Sequence, residues 1–119
     1  MARTDGKRKT FKAIPVGAEY ELTVSGSAGF ASAAKFDDAC NDTIETWPGS
    51  EITQAQPKKK ALACPGGEHF VFIFVDIESI APIDVVVTAK VGNQTYCRTV
   101  SGAAGTREIL VHKLQMVAQ

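Results

Sequence analysis

The sequence predicts an all-β protein, an antiparallel β-sandwich of about seven or eight strands, immunoglobulin-like or jelly-roll-like with its topology open. Three observations carry this. The stretch 69–77, HFVFIFVDI, is the most apolar run in the chain, rich in β-branched and aromatic residues and far too short to span a membrane. Clusters of Gly, Pro, Ser and Asn punctuate the chain between runs of alternating polarity. No segment keeps a 3.6-residue period over a dozen positions.

The central run sets the sharpest requirement. Alternation places Phe70, Phe72 and Phe74 on one face and Val71, Ile73 and Val75 on the other, so both faces are apolar. A sandwich strand has one core face, and the second needs a cover: a loop, a helix or another copy of the chain.

The remaining elements follow in order. Residues 1–10 carry Arg3, Lys7, Arg8 and Lys9 with no apolar partner, which reads as a disordered basic arm ahead of one sandwich domain over 11–119. Phe11, Ala13 and Val16 suggest a short first strand that Pro15 confines to an edge or an entry. Tyr20, Leu22 and Val24 alternate with polar neighbours as a half-buried strand should; the turn residues 25–29 and a weaker run to Phe36 make 19–36 a hairpin.

From 37 to 67 the pattern dissolves, leaving room for two short strands near 44–47 and 60–63 or a brief helical turn. Ile44, Trp47, Ile52 and Leu62 are its anchors, and the segment is the internal candidate for covering the second face of the central strand. Further on, Gly92 and Asn93 separate two β-rich runs, and Gly at the first central position suits a type II′ turn. That turn pairs Val91 with Gln94, Ala89 with Tyr96, Val87 with Arg98 and Val85 with Val100. The last strand, 108–116, turns Leu110, Leu114 and Met116 to the core beside His112.

Composition excludes several function classes. Thirteen basic and thirteen acidic residues cancel, which removes the electrostatic footprint of a nucleic-acid binder. No stretch has the length of a membrane helix or the form of a signal peptide, so the sequence as given reads as soluble, without membrane insertion and with its compartment unspecified. Phosphate-loop, Cys-x-x-Cys, nucleophile-elbow and zinc-protease patterns are absent from the sequence.

Three candidate features remain. Asp37, Asp38, Asn41 and Asp42 offer several oxygens within six residues, the donor set a hard cation such as calcium takes, though without the spacing of an EF-hand. Cys40 and Cys64 bracket the loop-rich middle as a disulfide candidate; the alternative is three reduced thiols. Cys40, Trp47 and Cys97 occur in immunoglobulin order, but the Trp lies too close to the first Cys and Tyr96 abuts the second, so no family follows.

The sequence therefore points to a non-catalytic binding or interaction module presenting loops, with Trp47, Asp37 and Asp38 as ligand-contacting residues and a protein or carbohydrate as the ligand. It calls for no cofactor, calcium being the one it admits. An assembly protein forming a homo-oligomer through an apolar sheet face is the alternative, and a small hydrolase-like enzyme using His69 or His112 is a third. Trp47 discriminates them: exposed beside the acidic loop in a glycan binder, buried beneath a bare apolar face in an assembly protein.

Overall fold

The computed structural model describes residues 4–38, 43–53 and 55–117. Nine strands form two sheets: β1 (Arg8–Ile14), β2 (Glu19–Gly26), β3 (Phe30–Asp38), β4 (Thr43–Pro48), β5 (Lys58–Ala61), β6 (Glu68–Ile77), β7 (Ile83–Val91), β8 (Gln94–Gly102) and β9 (Arg107–Met116). The five-stranded sheet has the order β1-β9-β6-β3-β4 and the four-stranded sheet β5-β2-β7-β8. All pairs are antiparallel except β1 with β9. A single 3₁₀ turn, Gly49–Glu51, follows β4. The protein is thus all-β, with nine strands where seven or eight were expected, because both short segments of 37–67 are strands.

The two sheets share one core. Its side chains come from alternate positions of the strands: Val71, Ile73, Val75 and Ile77 from β6, Leu110, Leu114 and Met116 from β9, Tyr20, Leu22 and Val24 from β2, and Val85, Val87 and Val91 from β7, all buried. Trp47, Ile52 and Leu62 join them. Burying a side chain of this size contributes about 1.5–3 kcal/mol, so the alternation itself fixes which face each strand turns inward.

The 83–101 register is the one the sequence predicts, with Val91 opposite Gln94, Ala89 opposite Tyr96, Val87 opposite Arg98 and Val85 opposite Val100. Gly92 has φ +59°, the value required at the first central position of a type II′ turn.

Two expectations are corrected. Residues 19–36 are not a hairpin: β2 pairs with β5 and β7, and β3 pairs with β4 and β6, so the 26–29 turn carries the chain from one sheet to the other. Each strand buries its apolar face in the shared core, which a hairpin within one sheet would satisfy equally well. The sequence holds no local signal separating the two. Nor do residues 8–10 belong to a disordered arm, since β1 begins at Arg8 and residues 4–7 are hydrogen-bonded. Asp5 N–H donates to Cys97 O (2.7 Å), Thr99 N–H to Thr4 Oγ1 (3.0 Å) and Val111 N–H to Lys7 O (2.8 Å). An edge strand carries its charges outward, and the pattern then imitates a solvated tail.

The open sides between the sheets are bridged by polar groups. Along β1 and β8, Lys12 N–H donates to Gln94 Oε1 (2.9 Å) and Gln94 Nε2 to Lys12 O (2.7 Å). Arg98 reaches across to Glu108 at 2.8 Å, and its Nη1 donates to Asp5 O at 2.7 Å. Those two side chains are only 17% and 16% exposed, so water screens the pair less than it would at the surface. Along β4 and β5, Lys60 pairs with Glu45, and the Lys58 ammonium lies 5.5 Å from the centre of the Trp47 ring. The Lys60 hydrogen bond, with a second from Trp47 Nε1, holds the Glu45 carboxyl below the usual carboxylate range.

Two backbone positions test this description. Replacing Gly92 by Val should destabilise the protein by about 1 kcal/mol or more in urea unfolding, since a β-branched residue resists positive φ; an unchanged midpoint would mean the turn lies elsewhere. Ala13, with φ +55°, is the non-glycine residue in the left-handed region among the described residues. Ala13→Gly should therefore stabilise by about 0.5–1 kcal/mol in the same assay, where most glycine substitutions in strands weaken.

Candidate interaction surface

The outer face of the five-stranded sheet is built from the strand positions that alternation sends away from the core. Phe70, Phe72 and Phe74 form a row along β6, half-buried by their neighbours, with Phe70 and Phe72 stacked at 6.3 Å between ring centres. Phe72 sits opposite Val111 of β9 and Lys35 of β3; Phe74 sits opposite Ile109 and Ala33. Ile109 is 48% exposed, and Ile44 on β4, opposite Asp37, is 71% exposed. The centre of the face is apolar, and its position is dictated by β6 having two apolar faces when the core takes one.

Two ion pairs stand at the ends of this face, while Lys35 opposite Phe72, Asp37 opposite Phe70 and Arg8 opposite Val111 bring charges of both signs among its apolar positions. Lys113 and Glu68 meet at 2.7 Å at one end, and Arg107 pairs with Asp76 at the other. The Lys113 hydrogen bond holds the Glu68 carboxyl below its ordinary range. Lys35 lies with its ammonium 5.8 Å from the centre of the Phe74 ring, its stem crossing the apolar surface. An apolar row bordered by charges of both signs suits an occupant without a strong net charge.

Among the described residues, the loop segment does not cover this face. Of its four anchors, Trp47, Ile52 and Leu62 enter the shared core, and Ile44 stands exposed on the outer face. Val24 N–H donates to Ile52 O (2.6 Å) and Leu62 N–H to Ala18 O (2.8 Å), which ties 52–62 to β2 on the other sheet.

The residues singled out by sequence are dispersed. Trp47 is 2% exposed and stacked on Phe36 at 5.6 Å, so the expected ligand platform is a core side chain, its large apolar ring being better sheltered there than in water. Asp37 lies on β3 opposite Phe70 and Ile44. The Asp38 side chain, Cys40, Asn41 and Asp42 lie outside the described residues, and the calcium set with them. Among the described residues no three His, Cys, Asp or Glu side chains gather as metal ligands. Cys64 is disulfide-bonded, which corrects the reading of three reduced thiols, and Cys97 is free. No helix among the described residues is long and apolar enough to cross a membrane.

Both histidines are buried, His69 at 2% and His112 at 0% exposure. His69 stacks on Phe36 at 5.6 Å. His112 is the hub of an aromatic cluster joining the sheets: its Nδ1 is hydrogen-bonded to Tyr20 Oη at 2.6 Å, Phe11 meets it edge-on at 5.5 Å, and Tyr96 at 4.2 Å. Burial lowers its pKa to about 3 and pushes the Tyr20 phenol well up; burial also raises Tyr96 to about 12. Nε2 has no hydrogen-bond partner, so an imidazolium here would bury an unsatisfied N–H and a charge together. These partners are 92 residues apart in sequence, and no local pattern announces them. A shallow concavity on the other sheet, lined by Thr23, Thr88, Thr95 and Cys97 among others, contains neither histidine.

No family model, curated protein or solved structure matches this chain.

The His112 geometry sets a pH dependence. The unfolded chain binds a proton on this residue near 6.5 and the folded one only near 3, so unfolding takes up a proton between those values. Stability should fall as pH drops from 6.5 toward 3, by about 1.4 kcal/mol per pH unit from this group alone, and should not change through it above 6.5. His112→Leu should flatten the slope between pH 5 and 6.5, above the range where carboxylates titrate; an unaltered slope in equilibrium unfolding would assign it elsewhere.

Proposed function

We propose that the two sheets are the layers of a β-sandwich and that the protein is a non-catalytic interaction module, which self-associates through the outer face of its five-stranded sheet. The observation that carries this reading is the Phe70, Phe72 and Phe74 row, flanked by Ile109 and Val111, left uncovered while every anchor of 37–67 except Ile44 goes to the core.

A second copy is the occupant that size and charge favour. Five strands about 4.8 Å apart, paired over some 30 Å, present roughly 700 Å² per copy. A stable interface takes about 800 Å² per partner. The chain has no formal net charge, so two copies approach without repulsion, and the end pairs Lys113 with Glu68 and Arg107 with Asp76 are already neutralised. A two-fold axis through the Phe row would set each row on the other and leave both charged ends at the rim. Support also comes from Trp47, which a glycan binder would expose and which is buried in the core.

Sedimentation at tens of micromolar should give twice the 12.7 kDa mass of the chain. Phe72→Lys, placed on the outer face, should return the monomer mass while far-UV circular dichroism keeps the strand content of the wild type. A wild-type monomer at that concentration, or a Phe72→Lys dimer as tight as the wild type, would overturn the proposal.

A further inference from the structure

Residues 4–14 form a strap held entirely by parts of the chain distant in sequence. Its first half lies along β8: Asp5 N–H donates to Cys97 O, Cys97 N–H donates to Asp5 Oδ2 (2.9 Å), and Tyr96 Oη–H donates to Gly6 O (2.8 Å). Its second half is β1, pairing with β9 from Arg8 opposite Val111 to Phe11 opposite Leu114. Phe11 and Ile14 are fully buried, and Phe11 closes the aromatic cluster over His112 and Tyr20. The strap therefore fills a groove between the last strands of the two sheets.

The junction that follows is strained. Register with β9 shifts between Phe11 and Ile14, Ala13 takes φ +55°, Pro15 follows, and Gly17 takes φ +94°. The chain must turn from one sheet to the other between Ile14 and Glu19. A short strained connection next to a detachable edge strand is the arrangement from which chains exchange that element.

We propose that the strap is exchangeable: in a second association mode, residues 4–12 of one copy occupy the β8–β9 groove of another, and reciprocally, with Ala13 as the hinge. The groove is complementary to this segment, since it already holds it. Every contact of residues 4–12 is retained on exchange, while Ala13, as the hinge between them and Ile14, can extend and leave the left-handed region. The mode uses neither the Phe row nor its rim, so it stands or falls separately from the sheet-face dimer.

Thr10 and Lys113 are register partners on β1 and β9, which supplies the test. In a Cys97→Ser, Phe72→Lys background, a chain with Thr10→Cys is mixed with one carrying Lys113→Cys, unfolded and refolded together at several hundred micromolar, and oxidised. Exchange predicts a covalent dimer whose linked peptides join position 10 of one chain to position 113 of the other, with a yield that rises with concentration. Ala13→Gly, by removing the strain, should lower that yield about fivefold. Both substitutions placed in one chain report on the closed form as an intramolecular link. A mixture yielding only unlinked monomer while the doubly substituted chain closes on itself would overturn the proposal. So would a Phe72→Lys chain that sediments purely as monomer at several hundred micromolar.

Discussion

A strand in the middle of a sheet has two faces, and the core between two sheets can take only one. That constraint on β6 governs this molecule. Val71, Ile73, Val75 and Ile77 belong to the one core cluster that both sheets supply and are buried to 2% exposure or less, which leaves three phenylalanines on the other side of the same strand. Had the core taken the phenylalanines instead, the row outside would have been Val and Ile, no less apolar. The sequence thus commits the fold to an apolar outer surface whichever register β6 adopts, and the neighbouring strands respond to it. Lys35 lays its stem over Phe74, while Glu68 and Asp76 pair with cations of β9 at the two ends of the row.

The inner face sets a different problem, because a thin core between sheets is open along its sides. One side is closed by the strap and by the Arg98–Glu108 pair, the other by Lys58 and Lys60 against Trp47 and Glu45. In both places a cation covers an apolar or aromatic margin while its charge finds a carboxylate, so the margin is shielded without a further strand. Near the strap side the core is finished by His112, neutral and hydrogen-bonded to Tyr20 of the opposite sheet. A hydrogen bond across the layers is directional where apolar packing is not, and it fixes how far β9 slides relative to β2.

What was legible in the sequence was local. The Gly92 turn and the alternation on either side of it specify the β7–β8 register residue by residue, because hairpin geometry leaves no freedom once the turn type is set. Of the two short strands expected in 37–67, the first matches β4, but the second, expected near 60–63, lies at Lys58–Ala61, because turn formers bound such a segment without fixing where its strand begins. Period two tells which residues share a face but not which strand lies alongside, and so β2 and β3 read as partners when they belong to different sheets. The strap escaped notice because its attachment is mostly through backbone atoms and short polar side chains. Asp5 and Thr4 look like solvent-facing residues, and their partners Cys97 and Thr99 lie more than ninety positions away.

The candidate surface was half legible, and the missing half explains the function argument. Sequence alone required a cover for the second face of β6 and offered 37–67 as the internal one. That segment has few large apolar side chains, and each can be used once. Trp47, Ile52 and Leu62 fill the margin between the sheets, where the core lacks any other side chain to seal it, and only Ile44 is left over. Moving Trp47 outward to shelter the Phe row would expose the same apolar area at the margin, so no rearrangement of this segment can satisfy both needs. Among the described residues, the surface that remains has no further apolar side chain of this segment to draw on.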